Sequence, residues 1–122
     1  MPYTLRHEAQ NECVVLTVTG TVTMEAIREM APAVAALCER TGCRRILNDM
    51  STATVEVSFL EVFGSPKAMD ESGVSRQTIR ALVVPPDFRE AGFLETVTRN
   101  RGHNLRVFTD LAEAKRWLLA GP

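Results

Sequence analysis

The chain has 122 residues, 45% hydrophobic and 24% charged, enough for one compact domain that hides roughly two thirds of its surface without help from disulfides or metal. Fourteen basic residues against fifteen acidic ones leave a net charge of −1, which excludes a general affinity for nucleic acid or an anionic membrane surface. The three cysteines, Cys13, Cys38 and Cys43, have neither zinc-site nor C-x-x-C spacing and read as reduced thiols in the cytoplasm.

In chain order, Tyr3 to His7 and Cys13 to Thr19 are two β-rich runs around the polar stretch Glu8 to Glu12, an antiparallel hairpin. Gly20 breaks the second run, and Thr23 is placed as a helix N-cap with Glu25 in the first turn. Ile27, Met30, Ala31, Val34, Leu37 and Cys38 recur at offsets of three and four up to Gly42, one apolar helical stripe. Pro32 inside it has no N–H to donate, so a kink or two meeting pieces is expected. Arg45 to Met50 is a short buried strand, with Asn48 and Asp49 at its carboxyl end. Phe59, Leu60, Val62 and Phe63 then form a broad apolar helical face, interrupted at Gly64 to Pro66 and resumed as far as Gly73, an irregular second helix. Ile79 to Val84 is nearly all apolar, as a strand covered on both faces should be, and Pro85 and Pro86 end it. A third helix is placed from Asp87 to Gly102 with Phe93, Leu94 and Val97 inward. Leu105 to Thr109 is the last strand, and Asp110 with Glu113 opens a final helix that buries Leu111, Ala114 and Leu118, with Trp117 at its edge. The order β-β-α-β-α-β-α-β-α predicts one α/β domain over residues 1–122, with a mainly parallel five-stranded sheet, an antiparallel N-terminal edge hairpin and four helices.

This order, together with the segments Leu16 to Thr23, Arg45 to Asp49, Arg80 to Val84 and Val107 to Leu118, resembles the STAS superfamily. Within it, the likeness is to the SpoIIAA-like branch related to CRAL-TRIO lipid-transfer domains. The ending, with Val107, Phe108, Asp110, Glu113, Ala114, Trp117 and Leu118, is its most recognisable trait. The likeness spans nearly the whole chain but rests on core and capping positions, which speak for fold more than for activity. It implies a STAS fold and a non-enzymatic regulatory or binding role. Anti-sigma antagonists of this kind carry an Asp-Ser-Ser-Gly loop whose serine is phosphorylated by a partner kinase. The corresponding stretch here is Val55 to Phe59, where Glu56 stands for the aspartate and Ser58 for a serine near the helix start. Val57 and Phe59 replace the first serine and the glycine. Asp70 to Gly73 is a closer literal match in the wrong element and reads as a helix C-cap.

Read residue by residue, the candidate chemistry is sparse. His7 falls in the edge strand, and neither it nor His103 sits in a nucleophile elbow or zinc-binding spacing. The glycines fit no phosphate-binding fingerprint, so neither metal nor cofactor is expected. Arg101 and His103 lie in the loop from Arg99 to Asn104, where they could contact an anion, or where the arginines simply complement a helix dipole. Asn48 and Asp49 stand at the carboxyl end of a strand, the usual place for ligands in open α/β sheets, although a strand-end Asp more often builds a loop. Phe59, Phe63, Phe88, Phe93 and Met69 could wall an apolar pocket between the second and third helices or be plain core.

The expected role is a non-enzymatic cytoplasmic binding module. Its first form is protein–protein interaction through Ser51 to Phe63, with Glu56 and Ser58 as the contact residues. Its alternative is a small apolar or amphipathic ligand held by Phe59, Phe63 and Phe93, with Arg101 or His103 on its anionic group. No stable membrane insertion is expected, because no apolar run approaches about 18 residues. The edge hairpin makes a homodimer a further expectation.

Overall fold

A computed structural model describes residues 3–58 and 75–120. The second predicted helix, with Phe59, Phe63 and Met69, lies outside the described residues. The elements in order are β1 (Tyr3–Glu8), β2 (Cys13–Val18), β3 (Thr21–Thr23), α1 (Met24–Thr41), β4 (Arg45–Asp49), β5 (Thr54–Glu56), β6 (Ile79–Val83), α2 (Ala91–Asn100), β7 (Asn104–Phe108) and α3 (Leu111–Ala120). The main sheet has the order β1-β2-β4-β6-β7. β1 runs antiparallel to β2, and every other neighbouring pair in it is parallel. The predicted sheet of five strands with one antiparallel edge is therefore the observed one.

Both faces of this sheet are covered, and strand alternation assigns each residue to a face. Val14, Leu16, Ile46, Leu82 and Val84 point to the side of α1 and α2 and join Met30 and Val34 in the larger core. Cys13, Val15, Leu47, Ala81 and Val83 point to the other side, where Ala114 and Leu118 of α3 cover them. Trp117 closes the edge of this second layer, its ring 5.7 Å from that of Phe108 and tilted by 50°.

Local chemistry sets the ends of α1. The Thr23 side chain accepts a hydrogen bond from the Ala26 N–H at 3.2 Å, and Gly42 ends the helix at φ 73°, the left-handed region that glycine enters without strain. Pro32 does not divide this helix: α1 is continuous from Met24 to Thr41, and Pro32 is exposed on its outer side. The third predicted helix starts later than expected. Phe88 N–H bonds back to Pro85 C=O in a turn that contains Asp87, and α2 begins only at Ala91. The Asp110 carboxylate accepts from Ala112 N–H at 2.8 Å and opens α3 as predicted.

Two short strands were not foreseen. β3 and β5 pair in parallel as a separate ribbon just beyond the carboxyl ends of β2 and β4. One more residue separates the partners in this pair than in the β2–β4 pair. The extra residue is taken up by the turn after β4, in which Ala53 N–H bonds to Met50 C=O at 3.1 Å.

Candidate functional site

The carboxyl end of β4 organises the first part of the site. The Asp49 carboxylate accepts from Ser51 N–H at 3.0 Å and from the Ser51 hydroxyl at 2.6 Å, a local loop that Asp and Ser side chains form readily. Asp49 thus builds the turn that leads into β5, whose start is anchored by a 2.7 Å bond from Thr54 N–H to Gly20 C=O. Along Thr54 to Ser58 the exposure alternates: Thr54, Glu56 and Ser58 face solvent while Val57 is buried in the core. The β3–β5 ribbon therefore holds Glu56 on an exterior ridge at the end of the main sheet, and Ser58, two residues past the end of β5, is exposed as well.

The second part is a cavity of about 100 Å³ between the sheet and the two helices on its larger face. Leu16, Ile46 and Leu82 from the sheet, Met30 and Val34 from α1 and Leu94 from α2 contribute its apolar wall. Asn48, Arg80 and Thr98 also line it. Arg80 is 1% exposed, and its guanidinium donates a hydrogen bond to Nδ1 of His103, itself 2% exposed.

The predicted residues thus divide. Asn48 and Asp49 are neighbours in sequence but point to opposite sides of the strand, Asn48 to the cavity and Asp49 to the turn. Glu56 and Ser58 share the exterior ridge. His103 and Arg101 do not form one surface: Arg101 is exposed after α2, whereas His103 turns inward onto Arg80. Phe93 is half-buried and packs against the larger core, and Phe88 reaches the cavity wall. Phe59 and Phe63 are outside the described residues.

Arg80 was missed by sequence reasoning, although it left a signal: it is the one charged residue in a strand otherwise apolar from Ile79 to Val84, and it shares the parity of Leu82 and Val84. Among the described residues, no group of three or more His, Cys, Asp or Glu is placed to hold a metal ion, and no helix is long and apolar enough to cross a membrane.

No protein-family model and no curated protein sequence matches the chain. Solved structures do. The unphosphorylated anti-sigma factor antagonist SpoIIAA is similar with a TM-score of 0.58 at 14% identity, over 99% of this chain and 100% of that one. The phosphorylated form of the Bacillus cell fate determinant SpoIIAA gives 0.55 at 14% identity, over 95% and 99%. An uncharacterised Shewanella loihica PV-4 protein with a SpoIIAA-like fold gives 0.58 at 15% identity, over 96% and 92%. The chain has a SpoIIAA-like fold.

Proposed function

We propose that this SpoIIAA-like domain is a non-enzymatic regulatory module that binds a protein partner through the ridge at Ser51 to Ser58. The observation that carries the reading is the β3–β5 ribbon, which holds Glu56 outward, with exposed Ser58 two residues beyond its end. A preformed backbone of this kind lowers the ordering cost of association. The similarity to an anti-sigma factor antagonist, a protein defined by its action on another protein, supports the same class of role. Affinity capture with the immobilised chain tests it. A Glu56→Lys, Ser58→Trp variant that folds normally should bind the captured partner roughly tenfold less well, because it reverses one charge and fills the contact surface. Equal capture by the variant removes the reading.

A second reading, a site for a small amphipathic ligand, is favoured by the cavity, whose wall is apolar apart from Asn48, Arg80 and Thr98.

A further inference from the structure

The two edges of the main sheet are β1 and β7. On β7 the side chains of Glu95 and Arg99 reach from α2 to the backbone at Val107 and Leu105. β1 has no such cover: among the described residues, its backbone pairs only with β2. Its outer side is also accessible, with Thr4, Arg6 and His7 exposed and Tyr3 39% exposed. The register from Tyr3 opposite Val18 to Glu8 opposite Cys13 runs without a bulge, and no proline interrupts it. The two charges on the strand, Arg6 and Glu8, pair with each other. A straight edge with little net charge is a template for a further strand.

The sequence of β1 suits a second copy of itself in one register. In an antiparallel ladder, opposed residues either both turn their N–H and C=O toward each other or both turn them away. Along one edge that direction alternates, so a two-fold axis must set a residue opposite its own copy and not fall between two residues. An axis at Arg6 would place two guanidiniums directly opposite, which is unfavourable, and an axis at His7 leaves only Arg6 to Glu8 paired. An axis at Leu5 pairs Tyr3 to His7, with Tyr3 opposite His7 and Thr4 opposite Arg6 of the second copy. Leu5 already packs against the larger core, so two such leucines side by side carry that apolar layer across the junction. We propose that two copies of the chain join β1 to β1 in this register, Leu5 opposite Leu5, and make one unbroken sheet across the dimer.

So short a ladder gives a small interface, and the dimer should assemble between roughly 10 µM and 1 mM. Sedimentation velocity of the intact, reduced chain across that range should show a concentration-dependent monomer–dimer equilibrium. Thr4→Arg sets like charges opposite Arg6 at both symmetric places and should weaken the dimer roughly tenfold, with an unchanged far-UV circular dichroism spectrum because Thr4 is exposed. Adding Arg6→Glu turns the same two contacts into opposite-charge pairs and should restore wild-type association. A chain that stays monomeric up to about 1 mM overturns the proposal. Association that Thr4→Arg leaves unchanged, or that the second substitution does not restore, overturns it as well.

Discussion

Arg80 shows how a single buried residue can be hidden in a pattern. A strand covered on both faces reads as an apolar run, so one arginine among Ile79, Ala81, Leu82, Val83 and Val84 looks like an interruption, not a position with a direction. Only the pairing with Ile46 on one side and Leu105 on the other fixes which layer it enters. His103 was legible as a titratable residue near a strand, but its inward turn depends on the local backbone. Gly102 adopts φ 88°, and His103 N–H bonds back to Thr98 C=O at 3.3 Å. The cysteines follow a simpler rule. Burial is the main cause that raises the Cys13 and Cys38 thiols from 9.0 to about 11, with the charge of Cys43 adding to it. Below pH 9 the thiols are protonated in both folded and unfolded chains and contribute no pH dependence. Between pH 9 and pH 11 the unfolded chain releases these protons and the folded chain keeps them, so stability falls as pH rises. The slope should approach about 1.4 kcal/mol per pH unit for each thiol, measured by urea unfolding across that range. The Cys13→Ala, Cys38→Ala variant should lose that part of the slope, and an unchanged slope would contradict the assignment.

At the scale of elements, the ends of the sheet are treated differently. On β7, the outer edge is stitched to α2: the Glu95 carboxylate accepts from Val107 N–H at 2.8 Å, and the Arg99 guanidinium donates to Leu105 C=O at 3.4 Å. These side chains take the place of a further strand and cover an edge that would otherwise invite pairing. Glu95→Ala removes a charge-assisted partner from a backbone N–H, and the expected cost is about 1–2 kcal/mol with faster hydrogen exchange at Val107. Unaltered exchange at Val107 would show that the contact does not protect the edge. The five main strands, α1 and α3 were legible because each has a strong period and a chemical stop signal, such as Thr23 and Gly42 around α1 or Asp110 before α3. The β3–β5 ribbon was not, because three-residue strands carry too little pattern to separate from a loop. Their pairing is set by the parallel course of β2 and β4, which the chain learns only on folding. The start of α2 was misplaced for a related reason: Asp87 has the chemistry of an N-cap, yet the turn from Pro85 to Phe88 intervenes.

On the scale of the whole molecule, three layers leave two distinct regions near the carboxyl ends of the parallel strands. One is the exterior ridge of Glu56 and Ser58, and the other is the interior cavity with Asn48, Arg80 and Thr98. The turn built by Asp49 and Ser51 stands between them in the chain, directly after Asn48. Strand-end position was enough to point from sequence to Asn48, Asp49 and the segment that follows. It could not separate residues that face solvent, turn and cavity, because that division comes from strand alternation and from the register of pairing. The partner-binding claim is tested most directly by placing a photoreactive amino acid at Glu56, at Ser58 and, as a control, at exposed Arg116 on α3, then irradiating the chain in its native cell extract. Partner binding through the ridge predicts one common protein adduct from positions 56 and 58 that is absent from 116; no adduct at the ridge, or the same adduct from all three positions, would contradict it.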